Sequence, residues 1–432
     1  MNSKEGRFFI FLLVVIVAVG AGCVWYTKYK DKPRKPIEHK EEEKQKDPSE
    51  YDEKDFTIKL IKTVNSSQDS NYLISPYSIE LALNLVREGA DGNTKVELDS
   101  VLPNREIPIF EVENRISVAN AAFIRNQYSM YIQDNYKDIL EKNYNADMIY
   151  DPFVVPDKIN DWVKEKTYGM IPSVVDNIKD DFILGIANAV AIDVEWQRSF
   201  DCIATRSTEF TKSDGSKMNV EMMHSEGNGK YLKNDDYTGV IIPYDSYSDK
   251  GVEVSTGGTQ LEFVGILPNG TVDEFIEDLD EEKLAKIDDS ISKDKAILRL
   301  GLPRFKYDYE LSNFQAVLRA MGIHDAFEPY KADFTKIMAR DDMALAGIEN
   351  VYISEAIHKT YIDLNEKGTK AAAVTYFSYA GATSIDDNKY INLEFNKPFI
   401  YMIRDSETKE ILFFGVIEEP NEWKGSTCDG RE

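Results

Sequence analysis

The stretch Glu366-Lys367-Gly368-Thr369-Lys370-Ala371-Ala372-Ala373-Val374-Thr375 sets the tightest limit on what this chain can fold into. It carries no charge from Ala371 to Thr375, and its side chains there are small or β-branched. Such a segment is too small-sided to anchor a core. With Tyr376 and Phe377 following, it is also too β-prone for a plain linker. Small residues at alternate positions suit a strand that slides into an existing sheet without displacing a packed interior. If that strand is not always in the sheet, the segment is a moving part.

The rest of the composition narrows the function. A chain of 432 residues, 42% hydrophobic and 29% charged, can bury the core of one large domain or two ordinary ones. Its net charge is −25; setting aside residues 1–35, which hold 7 basic and 2 acidic residues, leaves 44 basic against 74 acidic, or −30. A body this acidic argues against nucleic acid and anionic polysaccharide as partners. The cysteines are Cys23, Cys202 and Cys428, with no Cys-x-x-Cys pair, so neither a disulfide scaffold nor a zinc site is expected. Cys202 and Cys428 are available to pair. The four histidines, His39, His224, His324 and His358, fall in no local catalytic or metal-binding signature. The reading is of a protein that is not an enzyme and uses no metal or cofactor.

Phe8 to Tyr26 is a run of 19 residues without a charge, preceded by Lys4 and Arg7. That is long enough to span a bilayer and long for a signal-peptide core. Residues 1–27 read first as a signal anchor. A lipoprotein-type signal ending at Gly20-Ala21-Gly22-Cys23 is the second reading, and a cleaved signal the third. Lys28, Lys30, Lys32, Arg34 and Lys35 outnumber the basic residues before the run, which opposes export under the positive-inside rule, although long folded domains cross largely regardless of it. Residues 28–54 are almost entirely polar and read as a disordered tether. The location implied is extracellular or at the cell surface: anchored through residues 8–26 or a lipid on Cys23, or secreted if cleaved.

A globular body spans 55–421, followed by a polar tail, 422–432. Phe56, Leu60, Ile61 and Val64 have helical spacing. A short strand at 71–74 breaks at Ser75-Pro76, and Ser78 is expected to cap a helix from Ile79 to Glu88 that Gly89 ends. Tyr390–Phe395, Phe399–Ile403 and Ile411–Val416 read as strands. Helix-rich and strand-rich stretches are segregated, which predicts an α+β fold.

The two ends together resemble the serpins. The motifs are Asn71, Ser75-Pro76, Ser78, Ala82-Leu83 and Gly89-Ala90-x-Gly92-x-Thr94 near the start. Asn160-x-Trp162-Val163, Thr167-x-Gly169-x-Ile171, Asn188-Ala189 and Trp196 follow in family order, then Leu302-Pro303-Arg304-Phe305 and Met321-Gly322-Ile323. His358-Lys359, Glu366-x-Gly368-Thr369-x-Ala371-Ala372-Ala373 and Phe395-Asn396-Lys397-Pro398-Phe399-Ile400-Tyr401 complete the set. The resemblance implies helices packed on a large, mostly antiparallel central sheet, further sheets, and an exposed reactive-centre loop at about 366–394. It also implies a monomeric suicide-substrate inhibitor. A protease attacks the loop, forms an acyl-enzyme, and is carried along as the cut loop inserts into the sheet.

The same resemblance assigns site residues. Glu366, Gly368, Thr369, Ala371, Ala372, Ala373 and Thr375 form the hinge. Thr369, Ala371, Ala373 and Thr375 alternate onto the inward face, where a charge would cost several kcal/mol and stall insertion. Phe377 and Tyr379 follow on that face and are bulky, the weakest point of the inhibitory reading. Glu366 is implied to pair with Arg304 near Trp196, and Ser75, Ser78, Asn188 and His358 to form a polar cluster under the sheet's centre. Counting seventeen residues from Glu366, as in typical members, puts the bait bond at Ala382–Thr383, with small neighbours Ala380 and Gly381. That suits elastase-like serine proteases; a slip toward Tyr379 or Phe377 suits chymotrypsin-like ones, and a subtilisin-like enzyme is a further candidate. The short, acidic segment between Leu98 and Val118 departs from heparin-activated members and implies no heparin partner. Together with that shortening, the chain resembles prokaryotic serpins. A non-inhibitory binding or chaperone-like protein of the same fold is the alternative.

Overall fold

The computed structural model describes residues 12–21, 53–254, 257–293, 296–369 and 390–422. Most of the expected tether, the loop from 370 to 389 (Ala371 to Thr383 among them) and the tail from 423 lie outside the described residues.

Three sheets form the frame. The central one is built from β1 (Leu12–Ala21), β3 (Ile116–Arg125), β4 (Ala146–Asp151), β5 (Phe182–Ile192), β6 (Val194–Glu195), β13 (Phe305–Glu310), β14 (Val351–Asn365) and β15 (Gly368–Thr369). Its order is β4-β3-β5-β1-β14-β15-β6, with β13 pairing on β14. The β3–β4 pair is parallel and the others are antiparallel.

A second, antiparallel sheet runs β2 (Tyr72–Ile74), β18 (Ile411–Ile417), β17 (Phe399–Asp405), β11 (Thr259–Pro268), β10 (Tyr237–Tyr247), β9 (Lys230–Lys233). The third runs β16 (Tyr390–Glu394), β12 (Ile297–Pro303), β8 (Lys217–Gly227), β7 (Arg206–Thr211), with β16 parallel to β12. The helices are α1 (Glu53–Asn65), α2 (Pro76–Gly89), α3 (Gly92–Val101), α4 (Asp134–Tyr144), α5 (Asp157–Lys166), α6 (Val272–Glu277), α7 (Glu281–Asp289), α8 (Phe314–Met321) and α9 (Arg340–Leu345). This is the α+β architecture that the segregated pattern predicts.

The sequence explains the layering. Strand β5 reads Phe-Ile-Leu-Gly-Ile-Ala-Asn-Ala-Val-Ala-Ile and is buried at every position, as a strand covered on both faces must be. Its alanines and glycine leave room for α2, which packs between the central and second sheets. Helix α2 begins one turn earlier than expected. Pro76 occupies the first turn, where a missing N–H costs nothing, so the cap is Ser75, whose side chain accepts a bond from the Ser78 N–H at 3.1 Å. Ser78 is therefore not the cap but the residue the cap holds. Asn71 clasps the two ends of the body: its Oδ1 accepts from the backbone N–H groups of Glu418 (2.7 Å) and Glu419 (2.9 Å). Between α3 and β3 the described chain contains no helix or strand.

The N-terminal apolar run differs from expectation. A lone segment spans a bilayer as a helix, whereas Leu12–Ala21 is extended and lies inside the central sheet. Val14, Val15, Ile16, Val17 and Val19 are β-branched, and a partner strand on each side satisfies the backbone that lipid would leave to a helix. Among the described residues no helix is long and apolar enough to cross a membrane.

Candidate functional site

The site is the upper end of the central sheet and the column below it. Strand β14 ends at Asn365, and the chain reverses through Glu366 and Lys367 into β15. Asn365 shapes this turn, its Oδ1 accepting from the Lys367 N–H at 3.0 Å. Thr369 then pairs with Leu364 on one side and Val194 on the other. Gly368 has φ +150°, and a Cβ there would meet the Val194 carbonyl oxygen at 2.4 Å, so only glycine fits this rung. Thr369 is fully buried, and its hydroxyl lies 2.7 Å from that of Tyr244 in the second sheet. Its side chain thus faces inward.

Trp196 holds the turn from beneath. Its backbone N–H donates to Lys367 O and its indole N–H to Asn365 O, each at 2.9 Å. The ring stacks on Tyr244 with centroids 4.4 Å apart and planes 8° from parallel, and Phe200 and Phe263 meet it edge-on. Glu366 is gripped from above. Arg304 donates to its Oε2 from Nε (2.8 Å) and Nη2 (2.5 Å), and Thr205 donates to Oε1 at 2.5 Å. The Glu366 carbonyl accepts from the Phe200 N–H at 2.8 Å. Burial works against the Arg304 charge, but Glu366 and then Glu221, 3.1 Å away, more than offset it and raise the guanidinium above its ordinary value. Glu366 is 5% exposed, so this carboxylate is paired and hydrogen-bonded where it would otherwise be costly.

Below the hinge, β5 and β14 do not touch: β1 separates them. Val15 of β1 is opposite Asn188 on one side and His358 on the other. The polar residues expected as one cluster are therefore split. Ser78 donates to Asn188, whose Nδ2 reaches Asn120 Oδ1 at 2.9 Å. Across β1, the Ser75 N–H points at His358 Nε2 at 3.4 Å. His358 is fully buried against Phe314, its Nδ1 has no hydrogen-bond partner, and burial pushes its pKa down to about 3. These residues link the start of α2 to β3, β5 and β14 through buried hydrogen bonds.

Sequence reasoning missed Thr205, Glu221, Tyr244 and Asn120. Each meets its partner across 68 to 161 positions, with no local signature. Cys202 sits in the turn that grips Glu366 and is disulfide-bonded; Cys23 and Cys428 both lie outside the described residues.

A family model described as "Serpin (serine protease inhibitor)" matches residues 51–420. An uncharacterised serpin-like protein of Thermococcus kodakarensis is 27% identical over 85% of this chain and 84% of its own. The leukocyte elastase inhibitor of Xenopus tropicalis is 27% identical over 84% and 97%. The crystal structure of tengpin, a thermophilic serpin, in its native state superposes with a TM-score of 0.68 at 30% identity, covering 84% of this chain and 92% of that one.

Proposed function

The chain belongs to the serpin family, and from that premise we propose that it is a suicide-substrate inhibitor of serine proteases, elastase-like ones first, acting as a monomer outside the cell. Protease inhibition in general follows from the family itself. The finer reading is supported by one observation above all: the column between β5 and β14 accepts a strand that is not their neighbour in sequence, with the hinge already seated at its top.

The register of that column supports the bait assignment. Leu364 pairs with Thr369 and Asn365 with Gly368. In the inserted form proposed here, the same register continued rung by rung would set Ala371 opposite Ile362, Ala373 opposite Thr360 and Thr375 opposite His358. Ala382 would then fall opposite Val351, the first residue of β14. A cut at Ala382–Thr383 thus frees a strand as long as the slot. The residue after the cut stays with the far end of the loop, which leads into β16, fixed on β12. Insertion pulls the two sides of the bond apart, taking an acylated protease to the lower pole.

Inward positions 369, 371, 373 and 375 are small and uncharged, so the strand enters without burying a charge. Small residues at 380–382 suit a shallow primary pocket. The disulfide at Cys202 favours an oxidising compartment, consistent with export by the apolar N-terminal segment, whether it is kept as an anchor, lipidated at Cys23 or cleaved.

Incubation of the full chain with elastase-, chymotrypsin- and subtilisin-like proteases tests this. A complex stable in denaturing gels, formed by an active protease and not by its active-site Ser→Ala variant, is expected from the form whose insertion slot is open. Mass spectrometry of the released C-terminal fragment should begin at Thr383. Clean digestion by every protease, with no complex from any form of the protein, sinks the inhibitor reading.

A further inference from the structure

The column that the cut loop must enter is occupied. Strand β1 pairs with β14 from Tyr361 down to Val351 and with β5 from Val190 down to Phe182. It runs antiparallel to both, the direction a loop descending from Thr369 would take. On the register of the hinge, residues 372–382 claim the same rungs that Leu12–Ala21 fill. Only two rungs, Asp363 and Ile362, lie free between Thr369 and Leu12. The loop can therefore advance to Ala371 and no further while β1 is in place.

The same ten residues belong to the one uncharged run long enough for a bilayer. A backbone cannot be a helix in lipid and a strand in this sheet at once. We propose that residues 12–21 are an internal plug: out of the membrane they fill the insertion slot and hold the protein in a form that is cut without trapping its protease, and withdrawal into a lipid bilayer opens the slot. Inhibition is thereby confined to the anchored protein. This regulation rests on the inhibitor reading above, and it makes the two N-terminal expectations, bilayer segment and sheet strand, alternative states of one segment.

The test uses the full chain in three forms: wild type in solution, wild type reconstituted in phosphatidylcholine vesicles, and Val15→Pro in solution. Proline at the middle of a central strand removes a ladder donor and is not tolerated there. It touches only the plug, not the body. With an elastase-like protease, wild type in solution should give cleaved loop and little covalent complex. The vesicle form and the variant should raise the complex fraction at least tenfold. Hydrogen exchange decides independently of trapping: amides of β5 and β14 around Asn188 and His358 should exchange at least tenfold faster in the variant and in vesicles. Equal trapping by wild type and Val15→Pro overturns the plug and leaves the inhibitor reading standing. Unchanged exchange overturns it too, even if no form traps a protease.

Discussion

Arg304 and Arg404 each set two guanidinium nitrogens on one oxygen of a buried glutamate, Glu366 and Glu262. Their surroundings differ. Arg404 is 4% exposed and Glu262 1%, and the pair is extended by Asp288 at 2.9 Å and by Lys409, 3.0 Å from Glu262. It joins β17, β11, α7 and the turn before β18, all of them fixed. Around it, Phe263 stacks on Tyr401 at 5.9 Å, and Gly415 leaves room for the Tyr401 ring, which a Cβ would meet at 2.3 Å. Arg304 is 24% exposed, and its glutamate lies on the two-residue turn from which the proposed insertion would start. The second sheet is apolar and interlocked; the central sheet is held across its column by a few polar contacts and small residues. The same kind of buried ion pair thus sits within a fixed, interlocked sheet in one place and beside the proposed insertion column in the other.

That contrast can be broken by substitution. Thr369→Arg should have the largest effect. A guanidinium forced onto the fully buried rung beside Tyr244 costs several kcal/mol, enough to cut covalent complex formation by about 100-fold or more while the loop is still cleaved. Denaturing gels read both products, and undiminished complex would refute the inward role of this hinge face. Arg404→Met should leave Glu262 short of its main partner and lower stability by about 3–5 kcal/mol in urea unfolding, with no change in the ratio of trapped to cleaved product. A shifted ratio with unchanged stability would invert the comparison.

Arg304→Met should cost less, about 2 kcal/mol, because water reaches this pair and Thr205 still donates to Glu366. Here the ratio of trapped to cleaved product should move, read on the same gels. At neutral pH the mildest effect is expected from His358. Unfolded, it takes up a proton near the ordinary value of 6.5; folded, only near about 3. The unfolded state therefore binds the extra proton between those values, and its share of stability is lost as pH falls from 6.5 toward 3. The slope is at most about 1.4 kcal/mol per pH unit. His358→Gln should flatten that part of the stability–pH curve, and an unchanged curve would mean that His358 is not held neutral.

Much of this was legible in the chain. The final strands stand out because alternating or continuous apolar runs are bounded by Asn396-Lys397-Pro398 and by Ser406 to Thr408. The hinge stands out because small residues cluster in a charged protein. Glu366 and Arg304, 62 positions apart, are linked by no local pattern; the family resemblance supplied that pair. Thr205, Tyr244 and Asn120 stayed hidden, since a lone threonine, tyrosine or asparagine announces no partner until the sheets stack. Ser78 was misread as the cap because Pro76 pulls the helix start back by one turn, to a cap at Ser75. The first apolar run was read by its length, which suits a bilayer, when its β-branching also suits a sheet.

The order of the second sheet, β2-β18-β17-β11-β10-β9, has a consequence for how the molecule is made. Its interior strands β17 and β18 leave the ribosome after every other described strand. Strands β9, β10 and β11 can pair early, but β2 waits for a neighbour encoded at the opposite end of the chain. Such long-range closure is slow to form. Until Ile417 emerges the second sheet cannot close, so the growing polypeptide commits to its full shape only after that strand has been made.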